Sequence, residues 1–240
     1  MDRMIYLSMS GAKATMQRQD SLANNLANAS TVGFRAELQA FRSVPVEGGG
    51  ASTRVFALES TPGYNGDAGP ISNTSRPLDV AMKGNAWLTV QGLDGTEAYT
   101  RAGSLMLSAD GTLSTAAGLP VLGDGGPIQV PPNSDVSIGQ DGTVSASTNG
   151  RSTQVGRLKM VTPEVALIRG EDGLFRNLGG DLPADDTAQL QNGALEGSNV
   201  SPVESMVAMI SAARQFEAQM KMLQTAESNE KAATQLLALN

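Results

Sequence analysis

The chain has 240 residues, a formal net charge of −7, 40% hydrophobic and 17% charged side chains, and a pI near 4.6. It contains neither His nor Cys, which excludes Ser-His-Asp catalysis, thiol nucleophiles, disulfides and the usual His/Cys zinc sites. An acidic chain lacks the basic face that displaces counterions from phosphate, so no nucleic-acid partner is expected.

Distribution says more than content. Of the 27 Gly, 25 lie between residues 43 and 202, as do all 11 Pro, while 8 of the 11 Met lie outside that span. Gly and Pro are poor in helix interiors, so the chain reads as helix, Gly-rich middle, helix. No run approaches the roughly 20 apolar residues of a membrane-spanning helix, and no membrane insertion is expected. The polar opening MDRMIYLSMSGAKATMQRQDS also lacks the apolar stretch of a cleaved secretory leader.

Residues 1–34 form the first expected element. Asp2 is a plausible N-cap, and Ile5, Met9, Ala12, Met16, Ala23 and Leu26 step by four and three with Gln19 between. Leu22 is grouped with this stripe. The signal fades at Asn28-Ala29-Ser30-Thr31, before Gly33 and Phe34. Asn prefers caps and turns to helix interiors. Asn24, Asn25 and Asn28 are therefore read either as amides bonding a neighbouring chain or backbone, or as a frayed end in solvent.

Residues 35–76 hold Gly48-Gly49-Gly50, Pro62-Gly63 and Gly69-Pro70 and are expected to be an extended connector with little regular structure. From 77 to 195 short β-like runs such as Ala86-Trp87-Leu88-Thr89-Val90 alternate with Asp-Gly pairs at 94, 110, 141 and 172. Asp-Gly suits tight turns whose residues need positive φ, which predicts a central antiparallel all-β domain.

Residues 196–240 close the chain. Ser201-Pro202-Val203-Glu204 combines an N-cap Ser, a Pro at the first helical position and a Glu three residues after the cap. Met206, Met209, Ala213, Phe216, Met220 and Leu223 then step by three and four, with no Gly or Pro to Asn240. A helix reaching Leu239 would be about 55 Å long at 1.5 Å per residue. The fold class expected is thus α+β: long terminal helices pairing as a coiled-coil-like domain, an extended connector and the β domain.

Candidate chemistry is thin. The Asp-Gly pairs lack the alternating ligands and closing Glu of an EF-hand. Asp185-Asp186 is the one carboxylate pair considered for glycan hydrolysis, although adjacent side chains diverge in most conformations. Ser10 to Lys13 and Ser228 to Lys231 carry Ser-x-x-Lys without companion motifs, and Gly48-Gly49-Gly50 is not followed by Gly-Lys-Ser/Thr. No catalytic residue, metal or cofactor is expected.

Three segments resemble a known family. Ala23 to Arg35 (ANNLANASTVGFR) is similar to the N-terminal signature of bacterial flagellar rod and hook proteins. Leu78-Asp79-Val80-Ala81 through Gly84 to Trp87-Leu88-Thr89-Val90-Gln91, with Tyr99-Thr100-Arg101-Ala102-Gly103, resembles its central block. Leu195-Glu196-Gly197-Ser198-Asn199-Val200, followed by Val203-Glu204, Met209-Ile210, Arg214, Phe216-Glu217 and Lys221, resembles its C-terminal signature. The opening Met1-Asp2 with Tyr6, Phe34-Arg35-Ala36-Glu37-Leu38 and Val44-Pro45-Val46 are most similar to its proximal-rod members.

The resemblance implies a structural subunit of the basal-body rod in the periplasm. It would leave the cytoplasm through the flagellar type III export apparatus and polymerise helically with copies of itself and with other rod proteins. The interface expected from the stripes and signatures comprises Ile5, Met9, Ala12, Met16, Leu22, Asn24, Asn25, Leu26, Asn28, Phe34, Met206, Met209, Ala213, Phe216, Met220 and Leu223.

Overall fold

A computed structural model describes residues 2–45, 55–148 and 150–238. The chain forms two compact units, one of Met1–Ala29, Ala36–Asn65 and Val200–Asn240, the other of Ser30–Arg35 and Gly66–Asn199.

The first unit contains helix α1 (Asp2–Ala27), strands β1 (Glu37–Pro45) and β2 (Val55–Tyr64), and helix α2 (Pro202–Ala238). The α2 start follows its sequence signal: the Ser201 hydroxyl oxygen accepts the Glu204 N–H at 3.4 Å, with Pro202 in the first turn.

The expected coiled-coil pairing of the terminal helices does not hold. Among the described side chains of α1 the buried ones are Ser8, Ala12, Thr15, Ser21 and Asn25, whereas Met9 and Met16 are 55% and 52% exposed. Helices α1 and α2 do touch, but through small residues: a Cβ on Gly11 would lie 3.1 Å from the Gln219 side chain. Close approach selects the narrow face of α1 and turns the methionines outward. The heptad seam read from hydrophobicity is therefore not the buried one.

The expected connector is also corrected. Within residues 35–76, β1 and β2 pair antiparallel from Glu37↔Tyr64 to Pro45↔Val55. Register shifts between Leu38 and Ala40, which pair with Gly63 and Ser60, so Pro62 falls in the irregularity, where a missing N–H costs no ladder bond. Reading Pro62-Gly63 as a breaker missed this placement. The triplet Gly48-Gly49-Gly50 lies outside the described residues.

The second unit is antiparallel wherever strands pair, but divides into several sheets. The largest has five strands in the order Met160–Val161, Trp87–Gln91, Glu97–Thr100, Phe175–Arg176, Ile168–Arg169. A three-stranded sheet runs Asp135–Ile138, Thr143–Thr148, Arg151–Arg157. Shorter pairs include Val80–Met82 with Leu190–Asn192 and Ile71–Asn73 with Ala194–Glu196.

One turn device builds four of the hairpins. At Asp94-Gly95, Asp110-Gly111, Asp141-Gly142 and Asp172-Gly173 the Gly has φ between +77° and +84°. Each Asp carboxylate accepts the backbone N–H two residues on, from Thr96, Thr112, Thr143 or Leu174 at 3.0–3.2 Å. Strands joined by these turns carry Leu88, Val90, Leu105, Leu113 and Val144 into one core with Val80, Val121 and Leu190, each wholly buried. Burying each such side chain contributes about 1.5–3 kcal/mol.

Candidate assembly interface

The expected interface residues fall into three groups. Met9, Met16, Met206 and Met220 are exposed; Ile5, Leu22, Leu26, Met209, Ala213, Phe216 and Leu223 are half-buried; Ala12 is buried. Sequence reasoning passed over further exposed apolar side chains on the same helices, namely Tyr6, Val203, Val207, Ile210 and Met222. Val203, Met206, Val207 and Ile210 recur at intervals of three and four and so share one face of α2; Tyr6, Met9 and Met16, at intervals of three and seven, share one on α1. Val207 is 63% and Ile210 56% exposed. Both faces thus leave apolar side chains open to solvent at helical spacing.

The asparagines have a separate job inside the first unit. Asn25 is buried, its amide donates to the Glu37 carbonyl at 3.0 Å, and its side-chain oxygen accepts the Glu37 N–H at 2.8 Å. One side chain thus satisfies both backbone groups of Glu37, as a neighbouring strand would. Exposed Asn24 donates to the Glu37 carboxylate at 3.1 Å, and Asn28 donates to the Asn24 carbonyl and side-chain oxygen at 2.9 Å. Of the two readings of these amides, bonding to backbone describes Asn25 and Asn28.

Phe34 is buried in the second unit, with the Arg169 guanidinium 4.6 Å from its ring centroid. Beside it lies a cluster that sequence reasoning did not single out. The Glu196 carboxylate, itself buried, accepts from Arg35 Nη2 at 2.8 Å and from Arg101 Nε and Nη2 at 2.8 and 2.7 Å. It also accepts the Gly69 N–H at 3.0 Å. Arg101 donates to the carbonyls of Met82, Gly84 and Ala86, and Arg35 to that of Asp67. Burial pulls the Arg101 guanidinium down from its ordinary pKa, and the Glu196 charge opposes that shift. Removing one partner of such a group costs about 3–5 kcal/mol.

All three signature segments meet here. Arg35 belongs to the N-terminal one, Arg101 to the central one and Glu196 to the C-terminal one. The only earlier hint was that a Gly-Phe-Arg, an Arg-Ala-Gly and a Leu-Glu-Gly carry opposite charges in otherwise apolar or small surroundings.

The other candidate groups resolve into structural contacts. Asp185 accepts from the Thr162 hydroxyl and from Thr187, which hold its carboxyl down at a pKa of about 2. Asp186 instead pairs with Arg157 at 2.7 Å, so the two carboxylates diverge. Lys231 pairs with Glu227 at 2.6 Å. Among the described residues no group of three carboxylates could hold a metal ion, and no helix is long and apolar enough to cross a membrane.

Terminal helices with outward apolar faces, joined to a hairpin-built strand unit whose buried charges structure the fold, describe a structural subunit. Comparison with known proteins gives its family. Residues 5–35 match the family model described as flagella basal body rod protein, residues 81–146 that of the flagellar hook protein FlgE/F/G D1 domain, and residues 191–236 that of the flagellar basal body rod FlgEFG protein C-terminal. The chain belongs to the flagellar basal-body rod proteins, structural components of the basal-body rod and not enzymes.

Within the family it is most like FlgF. Over the full length of both chains it is 46% identical to flagellar basal-body rod protein FlgF of Salmonella typhimurium and 45% identical to that of Escherichia coli. With flagellar basal-body rod protein FlgG of Bacillus subtilis it shares 32% identity over 94% of this chain and 95% of that one.

Proposed function

We propose that this chain is a subunit of the proximal rod, polymerising helically through residues 1–34 and 196–240 and carrying torque from motor to hook. Its partners are other copies of itself and other rod proteins, and it reaches the periplasm through the flagellar type III export apparatus. The observation that carries this reading is the pair of outward apolar faces, Tyr6, Met9 and Met16 on α1 and Val203, Met206, Val207 and Ile210 on α2. Covering apolar surface contributes about 25 cal/mol per Å². Heterologous contacts between two different patches propagate a filament, where a single self-complementary patch would close a dimer. A distal-rod or hook-type subunit of the same family is the alternative; it is less well supported, because the 32% identity to FlgG of Bacillus subtilis is lower than the 46% and 45% to FlgF of Salmonella typhimurium and Escherichia coli.

Paired substitutions test this. Val207→Asp with Ile210→Asp, supplied to a strain lacking the gene, should leave the strand unit folded and the protein secreted but abolish swimming and incorporation into basal bodies. Normal incorporation would refute the helical interface.

A further inference from the structure

The chain passes between its two units four times, after Ala29, Arg35, Asn65 and Asn199. Within the strand unit, the segments at those crossings are bonded to one another. Gly33 donates its N–H to the Glu196 carbonyl at 2.7 Å, and Asn199 donates to the Phe34 carbonyl at 3.3 Å. Gly197 donates to the Pro70 carbonyl at 2.8 Å, and the Asn199 amide side chain to the Asp67 carbonyl at 2.9 Å.

Glu196 joins these segments, yet its two arginines are not equivalent. Arg101 has the carboxylate plus three carbonyls, all from residues 66–199, so the Arg101–Glu196 pair is neutral and complete without Arg35. Arg35 adds a second buried cation to the same carboxylate and, among the described residues, bonds only Glu196 and the Asp67 carbonyl, with no acceptor for its Nε. The cation added in excess, with fewer partners, is the one whose release costs less.

We propose that Ser30–Arg35 is a docking segment, latched by Arg35 onto a preformed Arg101–Glu196 pair, and that this latch opens without unfolding the strand core. Arg35 is then a positioning residue: it fixes where the chain leaving α1 is held. Its consequence for assembly, that Arg35→Gln lowers incorporation into basal bodies, rests on the rod-subunit reading, but the latch itself does not.

Hydrogen exchange on the full-length monomer separates the two. In Arg35→Gln the amides of Gly33 and Asn199 should exchange about 100-fold faster or more, while those of Leu113 and Val121, bonded within the core, keep their protection. Arg35→Lys, which keeps the charge and one donor to Glu196, should recover part of the protection. Glu196→Gln should release Gly69 as well as Gly33 and Asn199; if that variant does not fold, the Arg35 variants decide. Unchanged exchange at Gly33 and Asn199 in Arg35→Gln overturns the latch, and so does a parallel loss at Leu113 and Val121, which would make the segment part of one cooperative core. Incorporation of Arg35→Gln into basal bodies is scored separately. If the latch opens in the monomer and incorporation stays normal, the assembly consequence is wrong and the latch stands.

Discussion

Gly33 has φ of +70°, and a Cβ there would lie 2.2 Å from the Arg101 carbonyl carbon. Gly33→Ala therefore meets both a disfavoured conformation and an immovable backbone, and should cost more than about 2 kcal/mol. The urea midpoint followed by fluorescence of Trp87, the only Trp and fully buried, reads this directly; an unchanged midpoint would contradict the close approach. The turn aspartates make a second prediction. Asp94, Asp110, Asp141, Asp172 and Asp185 all lie below the ordinary value of 3.8, chiefly through hydrogen bonds from Thr96, Thr112, Thr143, Arg176 and Thr162 respectively, and Asp185 falls to about 2. A carboxyl more acidic in the folded state contributes in full above its unfolded pKa, and that contribution is lost as pH falls through the folded one. The urea midpoint should be flat above about pH 5 and fall between about pH 4 and 2, with Asp185→Asn giving a shallower fall. Asp94, Asp110, Asp141 and Asp172 were legible in the sequence, since an Asp-Gly turn is a local matter, whereas Asp185 was not. Glu196 was not, because its two arginines lie 161 and 95 positions away and nothing local marks them as neighbours.

The element scale shows where periodicity misled. Steps of four and three fit 5-9-12-16 and also 8-12-15, and hydrophobicity selects the first. The fold buries the second, Ser8-Ala12-Thr15, because the approach at Gly11 admits only small side chains. The start of α2 was readable because capping is local, whereas the pairing of β1 with β2 was not, since Pro62 and Gly63 look like breakers until the irregular register gives them a place. Asn25 links these elements. Asn25→Ala leaves both backbone groups of Glu37 without their partner and should cost about 1–3 kcal/mol. Faster amide exchange at Glu37 would register this, and Asn25→Asp, which keeps an acceptor but loses the donor, should lie between; protection unchanged by Asn25→Ala would show that the hairpin is held by other contacts.

Across the whole molecule the two units differ in what they bury. Among the described side chains, the buried hydrophobics of the first unit are Ala12 and Ala212, accompanied by Ser8, Thr15, Ser21, Asn25 and Ser205, while the second holds the aliphatic core around Val90 and Leu113. Helix and strand signals should therefore melt separately: circular dichroism at the helical band should fall at lower temperature than Trp87 fluorescence changes, and coincident transitions would contradict this. With so little apolar interior among its described side chains, and with Val207 and Ile210 in solvent, this unit is expected to gain most of its stability when neighbours cover it. Side-chain density for this subunit in isolated basal bodies tests that claim most directly. The account predicts Met9, Met16, Met206, Val207 and Ile210 buried against adjacent subunits; finding those side chains open to solvent in the assembled rod would contradict it.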